Sequence, residues 1–179
     1  MKFYKESHTS INRTLFDELH VDNTFIFLAD WTHPQVENNL YYADLQGTLT
    51  LEEDGIWDFG LTVRGTAQLF VDGELVVDNL THQRSGNSFF GSGTVEERGS
   101  IDLKGGRRYD FLVRFGSVPT SNYKMPSGVA PLNGGGLNFG GSPRINPKAE
   151  IQKAVKLAKE VDQVVICAGL NVSTTVQGL

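Results

Sequence analysis

Gln68-Leu69-Phe70-Val71-Asp72-Gly73-Glu74-Leu75-Val76-Val77 places two short apolar runs on either side of an Asp-Gly pair. A two-residue type I′ turn needs positive φ at both central positions, and Asp-Gly is among the few dipeptides that supply it cheaply. The stretch therefore predicts a β-hairpin, and the same grammar extends both ways from it. Ile56 to Val63 is the clearest strand, with Trp57, Phe59, Leu61 and Val63 on one face and largely Asp58, Gly60 and Thr62 on the other. Tyr109, Phe111, Val113 and Phe115 form a second period-2 stripe after the Gly105-Gly106 turn, opposite Asp110 and Arg114. Shorter candidates are Phe25 to Leu28, Leu45 to Leu51, Gly99 to Leu103 and Leu137-Asn138-Phe139. Short strands separated by turn signals predict an antiparallel sandwich or barrel over residues 1–142.

The period then changes. Asn146 before Pro147 makes an N-cap with proline at the first helical position, and Ile151, Ala154, Val155 and Ala158 follow helical spacing. Val164-Val165-Ile166-Cys167-Ala168 is an unbroken apolar run of the kind buried on both faces of a parallel sheet. One helix and one strand cannot bury themselves. The expectation is that residues 143–179 are a linker and the first piece of an α/β unit whose remainder lies outside this sequence.

Composition excludes several function classes. The net charge of −5 over 179 residues argues against nucleic acid or an anionic membrane surface as partner. The single cysteine, Cys167, forbids an intrachain disulfide. No apolar run approaches a membrane span, and Met1-Lys2-Phe3-Tyr4-Lys5 leads into no apolar signal region, so cytoplasmic and secreted homes both stay open. Sequons occur at Asn12, Asn79 and Asn171. His8, His20, His33 and His82 do not pair at metal-ligand spacing, and neither a Gly-x-Ser-x-Gly elbow nor a phosphate loop is present. No acid is paired with a base, so no catalytic residue is assigned. Asp30 and Asp44 flank the aromatic stretches Trp31-Thr32-His33 and Leu40-Tyr41-Tyr42, which read either as a pocket lining or as a packed aromatic loop.

The most suggestive candidate is the glycine-rich loop Asn79 to Arg98, which carries Phe89 and Phe90 side by side. Either both rings plug the core beneath it, or the loop holds them near solvent for a ligand with an apolar face, such as a sugar. Asn87 and Ser88 are loop-shaping residues that could also bond to hydroxyls.

Leu69 to Asn79, together with Gly99 to Tyr109, resembles the PA-14 (protective-antigen type) domain, an antiparallel β-sandwich. The loop Gln83 to Glu97, the run Gly134-Gly135-Gly136-Leu137, the helix Ile151 to Lys159 and Asp162 to Asn171 are similar to the form inserted in glycoside hydrolase family 3 β-glucosidases. The resemblance spans residues 3–171. It implies a mainly β fold, a PA-14-like sandwich followed by a truncated α/β segment of one helix and one strand. It also implies a retaining enzyme that hydrolyses terminal β-D-glucosyl residues through carboxylates held elsewhere, acting on β-glucosides or short gluco-oligosaccharides. Its missing catalytic domains are partners, and a homo-oligomer is open. Phe89 and Phe90 match the position of an aglycone-side wall, with Asn87 and Ser88 beside them. Yeast adhesins of this type hold calcium with two consecutive aspartates. The matching positions here are Arg64-Gly65, so no calcium site and no cofactor is expected. The segment after Asn171 lacks the acidic residues of the family, which puts hydrolysis by this chain alone in doubt. A free-standing carbohydrate-binding or adhesin-like module, or a structural spacer, are the alternatives.

Overall fold

The computed structural model describes residues 1–36, 39–119, 123–124, 127–129 and 134–166. The chain forms two compact units, Met1–Arg144 and Ile145–Leu179. In the first, ten strands among the described residues build two antiparallel sheets. The six-stranded sheet has the order β2 (Leu15–Glu18), β1 (Lys2–Tyr4), β4 (Tyr42–Thr50), β9 (Arg108–Gly116), β6 (Thr66–Val71), β7 (Glu74–Asn79). The four-stranded sheet runs β3 (Phe25–Phe27), β10 (Gly136–Pro143), β5 (Gly55–Arg64), β8 (Glu97–Leu103).

The period-2 stripes meet between the sheets. Phe59, Leu61 and Val63 of β5 are buried, as are Tyr109, Val113 and Phe115 of β9, together with Ala43 and Leu45 of β4. The predicted hairpin is present: Asp72 has φ 47° and Gly73 φ 83°, and Val71 pairs with Glu74 across the turn. The Asp72 carboxylate also accepts from the Asp110 amide at 2.8 Å, tying the turn to β9.

Two strands at the N-terminus, β1 and β2, have no counterpart among the sequence candidates. They span three and four residues, too few for periodicity to speak. The aromatic stretch around Asp30 and Asp44 is packed rather than open. Trp31 stacks on Phe3 at 5.2 Å and meets Tyr41 edge-on at 4.9 Å, while the Asp44 carboxylate pairs with His8 at 3.0 Å and Arg13 at 2.7 Å.

In the second unit, α1 (Pro147–Ala158) starts as expected, with the Asn146 side chain accepting from the Lys148 and Ala149 amides. None of its residues is buried. Val164, Val165 and Ile166 stand outside any strand, and the rest of the expected run, Cys167 and Ala168, lies outside the described residues, as does the sequon at Asn171.

Candidate functional site

The loop between β7 and β8 is held as a rigid finger. Ser85 and Thr94 form an antiparallel bridge, flanked by Gly86 N–H to Gly93 O at 2.9 Å and Val95 N–H to Arg84 O at 2.9 Å. Thr94 locks this finger to the sandwich: its amide donates to Val63 O at 2.9 Å, and its hydroxyl accepts from the Val63 amide at 3.1 Å. Further out, the amides of Gly91 and Gly93 both donate to Ser88 O, at 3.1 and 2.9 Å. Tyr123 adds a side tie, its hydroxyl donating to Gly93 O at 2.9 Å. A loop with this density of bonds holds one shape.

At its tip, Phe89 and Phe90 are both left-handed, with φ 50° and 57°. For residues with a Cβ this region costs about 1–3 kcal/mol each, and bulky side chains seldom enter it. The two rings separate in consequence. Phe89 turns inward and is 7% exposed, whereas Phe90 turns outward and is 83% exposed. Phe89 stacks nearly parallel on Phe25, with centroids 5.8 Å apart and 7° between planes, and packs on Phe27 at 5.3 Å. Gly136 leaves room for that ring, since a Cβ there would lie 2.5 Å from it.

Burying one phenyl ring contributes roughly 1.5–3 kcal/mol, and each ring pair adds about 0.5–1.5 kcal/mol. That is enough to offset the backbone cost at Phe89. Phe90 gains no such burial; among the described residues its one ring contact is Phe27, at 6.0 Å. Its strain is therefore uncompensated by packing.

Phe25 and Phe27 belong to this site, and sequence reasoning missed them as site residues. Alternation along β3 buries Ile26 in the core and turns its two neighbours outward, where the loop rings meet them. Phe25 keeps 57% of its surface open. Together with Phe90 it gives the finger an apolar outer surface of aromatic rings. Of the other predicted residues, Asn87 is exposed, and the Ser88 hydroxyl donates to Thr94 O at 2.7 Å, which commits its proton to shaping the loop.

Beneath the finger lies Arg64, 8% exposed, which the sequence reading treated only as a lost calcium ligand. Its Nε donates to the Ser92 hydroxyl at 3.1 Å and its Nη1 to Gly134 O. Burial pushes the guanidinium below its ordinary pKa. A positive group at this place cannot serve a calcium ion, so these residues do not fit that metal. Among the described residues no group of three or more His, Cys, Asp or Glu could hold a metal ion.

Comparison with known proteins agrees with the recognised fold. The sequence is 49% identical over 177 residues to "Probable beta-glucosidase I" of Aspergillus clavatus, a match covering 99% of this chain and 21% of that protein. Two crystal structures of β-glucosidase from Kluyveromyces marxianus superpose with TM-scores of 0.75 and 0.72 at 30% identity, the second in complex with glucose. Each match covers 89% of this chain, and 19% and 18% of those chains. The chain thus spans about a fifth of the length of its relatives. The family model described as the PA14 domain matches residues 1–136, and the chain belongs to that family.

Proposed function

We propose that residues 1–142 are the PA14-type insert of a retaining family 3 β-glucosidase, and that 143–179 link it to the start of that enzyme's α/β domain. The enzyme would remove terminal β-linked glucose from β-glucosides and short gluco-oligosaccharides, with both catalytic carboxylates outside this chain. The part played here is to wall the aglycone side of the pocket with the Phe90 ring.

The observation that carries this reading is the strained, outward Phe90 on a rigid finger. Strain that a protein's own packing does not offset clusters at sites of function. An aromatic face offers the C–H face of a pyranose, or an aryl aglycone, a flat apolar partner. The cost of ordering that partner is already met by the loop bonds. Phe89 and Phe25 then act as the footing for the wall. Asn87, next to the pair in sequence and exposed, is placed to offer its amide to a sugar hydroxyl, while Ser88 fixes the loop.

The test is Phe90→Ala in the full-length enzyme. KM for aryl β-glucosides and short oligosaccharides should rise about tenfold with kcat nearly unchanged, because a wall contact binds substrate and transition state alike. Unaltered kinetics on both substrate types would remove the wall from the mechanism.

A further inference from the structure

We propose that Arg64 is a positioning residue, whose guanidinium acts through the Ser92 hydroxyl to fix the direction of the Phe90 ring. The proposal rests on the reading of Phe90 as a pocket wall.

Alternation along β5 puts Arg64 on the face turned away from the core, with Thr62 and Gly60. An arginine there would ordinarily extend into water. The finger folds over it instead, so a cation is nine-tenths buried, and among the described residues no carboxylate lies within ion-pair distance of it. Burying an unpaired cation is expensive, and an apolar side chain of similar length would fill the space at lower cost. What an apolar residue cannot supply is the donor set.

That donor set ends at the peptide that matters. Arg64 Nε donates to Ser92 Oγ at 3.1 Å, and Ser92 Oγ in turn donates to Phe89 O at 2.6 Å. The Ser92 amide reaches the same carbonyl at 3.1 Å. The Phe89 carbonyl belongs to the peptide plane joining Phe89 to Phe90, so fixing it fixes ψ of the first residue and φ of the second. A charged donor polarises the hydroxyl and strengthens the bond that follows. The other arm of the fork, Nη1 to Gly134 O, anchors the guanidinium to the turn entering β10. Arg64 thereby joins strand, finger and closing turn with one planar group, and Ser92, 2% exposed, relays its hold to the strained pair.

The experiment has two readouts. In this chain, amide hydrogen exchange is followed at positions 91–93 and at the sandwich core, for wild type, Ser92→Ala, Ser92→Thr and Arg64→Lys. Ser92→Ala should speed exchange in the tip about tenfold, the effect of one lost hydrogen bond, while core amides such as Val113 keep their rates. Ser92→Thr keeps the hydroxyl and should stay near wild type. Arg64→Lys keeps the charge but lacks the fork, and should loosen the tip as Ser92→Ala does.

In the full-length enzyme, Ser92→Ala should raise KM for aryl glucosides several-fold at constant kcat. Tip exchange at the wild-type rate in Ser92→Ala overturns the proposal. So does a loosened tip with unchanged KM in an enzyme where Phe90→Ala does raise KM. If Phe90→Ala itself leaves KM unchanged, the wall reading falls, and the exchange rates alone decide for or against the anchor.

Discussion

The side-chain amide of Asn79 donates to the Thr94 hydroxyl at 2.8 Å, joining the end of the β6–β7 hairpin to the returning limb of the finger. Both residues are fully enclosed, and the same nitrogen also reaches Leu61 O at 2.9 Å. Thr94 passes the contact on to Val63, so one amide ties β7, β5 and the loop together. Asn79→Ala would leave the Leu61 carbonyl and the Thr94 hydroxyl buried with fewer partners. The expected loss is about 2–3 kcal/mol, a fall in melting temperature of roughly 5–10 °C by calorimetry. The same enclosure means that the Asn79-Leu80-Thr81 sequon cannot carry a glycan in the folded chain, which intact-mass measurement on protein from a glycosylating host would check.

The two tip phenylalanines should part company in stability measurements. Phe89→Ala removes a buried ring and its stacking on Phe25 and Phe27, and should cost about 3 kcal/mol while exposing the finger to limited proteolysis. Phe90→Ala removes an exposed ring and should leave the melting temperature within about 2 °C of wild type. Equal losses at both positions would mean that Phe90 is packed in solution.

Phe90→Gly should make the chain more stable. Glycine takes positive φ without the Cβ clash, so relief of the left-handed conformation contributes about 1 kcal/mol, or roughly 2–4 °C in melting temperature. Part of this gain is offset by the greater entropy of glycine in the unfolded chain. A substitution that raises stability and weakens substrate binding together is the signature of a residue kept for function. Lower stability for Phe90→Gly would show that the ring contributes packing beyond its contact with Phe27.

Much of the sandwich was legible because its long strands each bury one face. Ile56 to Val63 and Tyr109 to Phe115 each carry four apolar residues on one face, and Asp72-Gly73 names its own turn. The helix start at Asn146-Pro147 was equally explicit. The finger was visible as a loop, and Phe89 and Phe90 as its notable residues, but their opposite fates were not. Which ring turns inward depends on the backbone sign at each position and on Phe25 and Phe27, which arrive from a three-residue strand far away in sequence. Arg64 shows the same limit more sharply. Alternation gives its face, but only the folded finger above it converts a surface position into a buried one. Burial created by a loop that crosses an outer sheet face leaves no periodic trace.

Acid should undo the contact between Asp58 and Arg144. Arg144 clasps the Asp58 carboxylate with two donors, Nε at 3.0 Å and Nη2, and Ser100 donates its hydroxyl to the same group. The hydrogen bonds from Arg144, followed by that from Ser100, hold the Asp58 pKa down to about 2. These contacts pin the end of β10 across β5 to β8, where Ser142 and Asp58 are register partners. An unfolded aspartate titrates near 3.9, so between about pH 4 and pH 2 the unfolded chain takes up this proton and the folded chain does not. The stabilisation from the clasp is thus complete above about pH 4 and is lost as pH falls through about 2. Because the group is open to solvent, salt should weaken the effect. Urea melts of wild type and Asp58→Asn from pH 2 to 6 should converge at the acid end and separate above pH 4. In that upper range the variant should be the less stable, and 1 M sodium chloride should narrow the gap. Parallel curves across the whole range would show that the clasp does not form in solution.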